Sequence, residues 1–186
     1  MIKESGLVAL MKDAYKDGYD ILAASAGERA HLTIKTPEWM VSARVRDIPR
    51  KALGLLVEHL GYMPTDEAVR ACKGEEPQSI IRGVMEDEVA ALMARITDAP
   101  AMPCHRVPLI YRGQIVLWQQ TDGRIVGLPG YRMRMVVSGV KAVQTIHGRC
   151  LSVWRGDAGE LVAVECGPVA DNPLLAHLEL VSWAEV

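Results

Sequence analysis

Seven arginines and one lysine fall between Cys104 and Arg155, against a single acid, Asp122. They are Arg106, Arg112, Arg124, Arg132, Arg134, Lys141, Arg149 and Arg155. A guanidinium presents a planar fork of donors that matches phosphate or carboxylate, and it sheds water more readily than an ammonium. Beyond this stretch the sign reverses: from Gly156 onward there are six acids and no Lys or Arg. The formal net charge of −2 therefore hides a positive block beside a negative one. Two consequences are open. The block engages a polyanion, with Arg112, Arg124, Arg132, Arg134, Lys141, Arg149 and Arg155 as contact residues, or it pairs with acidic segments of the same molecule. Tyr111, Trp118, Tyr131 and Trp154 interleave with the arginines, a composition able to neutralise phosphate and stack bases. Trp118 and Trp154, however, lie inside apolar runs and read as core.

Other residue types weigh less. Cys104-His105 and His147-Gly148-Arg149-Cys150 together hold two cysteines and two histidines, and the second group has the spacing of a zinc-knuckle ligand pair. Neighbours on an extended segment point to opposite faces, so Cys104 and His105 are poorly placed to share one ion or to act as a nucleophile and its base. The consecutive acids Glu86, Asp87 and Glu88 fan around a helix instead of converging as a working carboxylate pair. Gly123, Gly127, Gly130 and Gly139 lack the strand, loop and helix context of a phosphate cradle and read as hairpin turns. The sequence thus predicts no catalytic residue, no metal and no cofactor. A small enzyme using Cys104 or an acid at a meander turn is the alternative.

The elements that must position these groups follow from periodicity. Leu7, Leu10, Met11 and Ala14 predict a helix over 3–17, ended by Gly18. Residues 19–24, 29–35 and 38–45 read as a three-stranded meander. Asp47 offers a helix cap and Pro49 a first turn, after which Leu53, Leu56, Val57 and Leu60 make an apolar face closed by Gly61. Residues 67–73 are taken as a strand. Ile81, Val84, Met85, Val89, Leu92, Met93 and Ile96 predict a long amphipathic helix. Strands follow at 107–111, 114–121 and 124–128, the last two joined by Asp122-Gly123. A second meander is expected over 140–146, 149–154 and 160–166, with a closing helix opened by Asn172-Pro173. The expectation is an α+β protein of antiparallel meanders and hairpins packed with about four helices. The prolines of residues 99–103 suggest a linker between an α+β lobe, 1–98, and a β-rich lobe, 104–186, unless the two are one continuous domain.

Composition sets limits. Of 186 residues, 49% are apolar, enough for a substantial core, and with no Phe its bulk must come from aliphatics, nine Met, four Trp and five Tyr. No run approaches the ~18 apolar residues of a membrane span. The charged amino terminus is unlike a secretory leader, and four widely spaced cysteines read as free thiols, so a cytoplasmic location and no membrane partner are expected.

The segments Lys3 to Lys12, Pro49 to Gly61 and Gly74 to Gln78 resemble small accessory proteins carried by prophages and mobile elements of gut Firmicutes, some of which are anti-CRISPR inhibitors. The resemblance covers the first half of the chain and carries over no functional residue. It implies a macromolecular partner, a host-defence protein or nucleoprotein. The sequence thus points to a non-enzymatic binding protein that acts through electrostatic complementarity, with a protein or nucleic acid as its partner.

Overall fold

The computed structural model describes residues 1–24, 30–98, 104–111, 115–120, 122–136, 142–146, 149–168 and 173–183. The first half runs α1 (Glu4–Ala14), β1 (Tyr19–Ala24), β2 (His31–Lys35), β3 (Trp39–Arg44), α2 (Arg50–Leu60), β4 (Glu67–Ala71), β5 (Gln78–Ser79) and α3 (Arg82–Asp98). The second half runs β6 (Cys104–Tyr111), β7 (Ile115–Gln120), β8 (Ile125–Pro129), α4 (Gly130–Met133), β9 (Ala142–Ile146), β10 (Arg149–Arg155), β11 (Leu161–Pro168) and α5 (Pro173–Glu179). The protein is α+β, with every strand pair among the described residues antiparallel.

Both meanders form, β1-β2-β3 and β9-β10-β11, and they meet through their third strands. Leu161 to Val164 of β11 lie opposite Ser42 to Trp39 of β3. The far end of β11 reaches the hairpins β6-β7-β8, where Gly167 and Pro168 oppose Gly127 and Val126. The sheet therefore runs β5-β4-β1-β2-β3-β11-β8-β7-β6, with β10 and β9 branching from β11.

Helices cover both faces of the central strands, which explains why these strands read as nearly unbroken apolar runs. On β3, Trp39, Val41 and Ala43 join the large core with α1 and α2, while Met40 joins Ile96 of α3 on the opposite face. Tyr19, Ile21 and Ala23 of β1 likewise enter the large core, and Leu22 meets Met85 of α3. The polar exceptions on the α3 side, Thr33 and Ser42, are buried opposite each other with hydroxyls 2.8 Å apart, so neither is left without a partner. Trp118, Val126, Leu128, Trp154, Val162 and Val164 enter the same large core, so residues from both sides of 99–103 share one interior. The indoles of Trp118 and Trp154 are buried there, as their apolar surroundings in sequence imply. Residues 99–103 themselves lie outside the described set.

A close approach ties the amino terminus to the second half. The Lys3 N–H donates to the Met135 carbonyl at 2.7 Å, and Ile2 bridges Val136. Gly6 sits where α1 crosses this segment: a Cβ there would lie 1.9 Å from the Arg134 carbonyl oxygen. One local expectation is corrected. Asp47 does not cap α2; Pro49 holds the cap position without a side-chain bond, and Asp47 instead accepts from Arg44 Nε at 2.7 Å. The free N–H of Lys51 in the first turn is taken by the Glu4 carboxylate of α1 at 3.3 Å. Gly61 does end α2, in the left-handed conformation (φ 82°) that favours glycine.

Candidate protein-binding surface

The described members of the basic set occupy different environments. Arg124 precedes β8 and Arg132 follows it, so a five-residue strand, ~17 Å long, separates them. Arg124 is exposed and pairs with Asp122 at 3.4 Å beside the hairpin turn. Arg132 is buried in α4, where it forms an ion pair with Glu38, lies over the Tyr131 ring at 5.3 Å and donates from Nε to the Tyr131 hydroxyl at 2.9 Å. That guanidinium holds α4 against the β2-β3 turn. Arg155, at the end of β10, donates to the Ile96 carbonyl of α3 at 3.2 Å. Arg106 and Arg134 are exposed. Arg149 opens β10 opposite Ile146. Arg112 and Lys141 lie outside the described residues, as does His147. Cys104 and His105 follow one another on β6, opposite Gln120 and Gln119 of β7.

A different surface gathers around the first turns of α3. The helix is amphipathic as its periodicity implies, burying Met85 and Ile96 and packing Val89, Leu92 and Met93 against the sheet. Ile81 and Val84 depart from that expectation, being 74% and 51% exposed. The reason is the edge of the sheet: β5 has two residues and pairs only β4, so the helix starts where no further strand lies beneath it. Periodicity finds the apolar stripe of a helix but says nothing of where the layer under it ends.

Acids surround these two aliphatic side chains. Residues 66–88 contain seven acids and three bases. Arg82 is held by Glu86 at 2.6 Å and by Asp66, and donates to the Asp66 carbonyl at 3.0 Å; these partners raise its pKa above the ordinary guanidinium value. Lys35 pairs with Glu88. Both of these cations are thus paired locally. Asp87 and Glu76 are exposed with no ion pair among the described residues, and the Glu75 carboxylate accepts from the Gln78 amide at 2.7 Å. The result is an acidic rim around an uncovered Ile and Val at a free sheet edge. Such an arrangement supplies apolar anchors and a sign preference, the two components of selective protein association.

No helix among the described residues is long and apolar enough to cross a membrane. Comparison with protein-family models, with curated proteins and with solved structures finds no match to this chain.

Proposed function

We propose that the protein is a non-enzymatic binding protein that docks the acidic edge formed by β5 and the first turns of α3 onto a basic surface of a partner protein. The observation that carries this reading is the exposure of Ile81 and Val84 within the acidic rim. An apolar pair that stays in water costs the fold part of its burial energy, about 1.5–3 kcal/mol for each fully buried aliphatic side chain, and a partner recovers it. The rim sets the partner's sign. The sequence resemblance of the first-half segments to accessory proteins of mobile elements supports taking the nucleic-acid-binding groove of a host-defence protein as that basic surface. Inhibition would then consist of occupying that groove. Direct binding of nucleic acid by the arginines is less well supported, because Arg132 is spent inside the molecule and Arg124 lies a strand length away from it.

The test is a comparison of variants in capture from nuclease-treated host lysate. Reversing Glu76 and Asp87 to Lys is expected to abolish recovery of the partner, and reversing Arg106 and Arg134 to Glu to leave it intact. The opposite pattern, or loss of all binding after nuclease treatment, would replace this reading with the nucleic-acid one.

A further inference from the structure

A pocket of about 290 Å³ lies where the end of α1, the β2-β3 turn and α4 meet, at the small end of the range for ligand sites. Strand alternation decides which side chains reach it. Trp39 lies on the α1 face of the sheet with Val41 and Ala43, and Leu10 of α1 packs on the same side; both Trp39 and Leu10 line the pocket. Met40, the next residue of β3, meets α3 on the other face. The pocket is therefore on the opposite side of the sheet from α3 and does not depend on the binding function assigned to the acidic edge.

The charge lining this pocket is of one sign. Asp13, Asp17 and Glu38 line it, and no Lys, Arg or His does. Asp13 pairs with Lys16 at 2.7 Å and Glu38 with Arg132. Asp17 gives only its backbone carbonyl to Arg70, at 3.0 Å, and its carboxylate makes no ion pair among the described residues. Asp13 stands in the last turn of α1, so the negative end of the helix dipole adds to these charges. Tyr131, already over Arg132 at 5.3 Å, is still 44% exposed and completes the wall. An aromatic ring beside carboxylates suits an organic cation.

A buried donor adds an independent requirement. Trp39 is 5% exposed, and Thr36 takes both its backbone N–H, at 3.1 Å, and its carbonyl, at 2.9 Å. Its indole N–H finds no acceptor among the described residues. Buried donors are ordinarily satisfied. The indole N–H groups of Trp118 and Trp154 are also unpaired but are sealed inside the core, whereas that of Trp39 is not sealed and belongs to a residue of this pocket.

These groups specify a ligand. The carboxylates and the helix end call for positive charge, Tyr131 for an organic cation, and the Trp39 N–H for an acceptor, which neither a bare metal ion nor a simple alkylamine carries. We propose that the pocket binds an alkylammonium that also bears a neutral hydroxyl or amide oxygen, with its charge beside Asp17 and its oxygen on Trp39 Nε1. A free amino alcohol and a lysine side chain with its peptide carbonyl share this chemistry.

The test is nuclear magnetic resonance of the ¹⁵N-labelled full chain, following its four tryptophan indole N–H signals. The titrants are ethanolamine, lysine blocked as its Nα-acetyl methylamide, and propylamine. The Trp39 signal is identified by its absence from Trp39→Phe, or by triple-resonance assignment should that variant not fold. The expected result is a saturable shift of this signal with ethanolamine and blocked lysine, and none with propylamine, which has the charge but no oxygen. Asp17→Asn, at an exposed position, should weaken binding about threefold to fivefold with melting temperature unchanged. Tighter binding of blocked lysine than of ethanolamine would identify a protein side chain as the source, and equal or weaker binding a free amine. Absence of a saturable Trp39 shift with both oxygen-bearing compounds, an equal shift with propylamine, or unchanged affinity in Asp17→Asn would overturn the proposal.

Discussion

Gly6→Ala and Gly54→Ala are the same chemical change in two helices, and the structure assigns them opposite signs. In an open helix the exchange stabilises by about 0.5–1 kcal/mol, since glycine loses more backbone freedom on folding. Gly54 in α2 has nothing within 4 Å of an added Cβ, so that gain should be realised in full. At Gly6 the added carbon would lie 1.9 Å from the Arg134 carbonyl oxygen, 2.2 Å from its carbon and 2.5 Å from the Met135 nitrogen. These are backbone atoms and cannot swing aside as a side chain would. Relief requires α1 to lift off the segment that also holds the Lys3–Met135 hydrogen bond and the Ile2–Val136 bridge. Overpacking of this kind costs about 1–3 kcal/mol, and loss of a backbone hydrogen bond adds about 1 kcal/mol, giving a net loss of ~1–3.5 kcal/mol after the helix gain is subtracted. At ~2–4 °C per kcal/mol for a chain of this size, Gly6→Ala should melt ~2–14 °C lower, and Gly54→Ala slightly higher, than the parent. Urea unfolding monitored by tryptophan fluorescence gives the free energies. If Gly6→Ala is as stable as the parent, α1 does not pack on residues 134–136 and the joining of the two halves described above is wrong.

Acid should weaken the fold through histidine. Burial holds the pKa of both His31 and His59 below the ordinary value, with Arg44 adding to the effect at His31. The folded state therefore binds fewer protons than the unfolded one, and this stabilisation, complete above about pH 6.5, is lost as pH falls through the ordinary histidine pKa towards the depressed one. Urea midpoints should drop between pH 7.5 and 5.5, and the drop should shrink in His59→Gln, which also loses the stacking on Tyr15 at 3.6 Å. Arg132→Glu should lower stability by about 2–4 kcal/mol in thermal melts, because it places a buried acid opposite Glu38; an unchanged melt would return Arg132 to the surface set. Leu56→Ala, at a position with no exposure, should cost about 2–5 kcal/mol by the same assay.

Most elements were legible because Gly and Pro punctuate them. Gly18, Gly61, Asp122-Gly123 and Pro173 all stand at real boundaries, and both meanders form where the apolar runs lie. What joins the meanders was not legible. Val41 and Val162 face each other across the β3-β11 pair, but a register between strands over a hundred positions apart leaves no local pattern in either. The Asp47 expectation failed for a related reason: Arg44 competes for its carboxylate, while the cap role passes to Glu4 from another helix. The arginines illustrate the limit of counting charge. Arg132 and Arg134 differ by two positions, yet one is buried on Glu38 and the other faces solvent, a distinction set by how α4 packs. The uncovered pair on α3 was hidden by its own regularity, since Ile81 and Val84 fit the apolar stripe as well as Met85 does.

The most direct measurement is the affinity of the purified partner, freed of nucleic acid, for the parent chain and for Ile81→Asp/Val84→Asp. Both positions are exposed, so the fold should survive the exchange and only the anchor is lost. The account predicts at least a tenfold weaker complex, as expected when apolar anchors at the centre of an interface are removed, together with an unchanged melting temperature. Equal affinity for the two chains would contradict it.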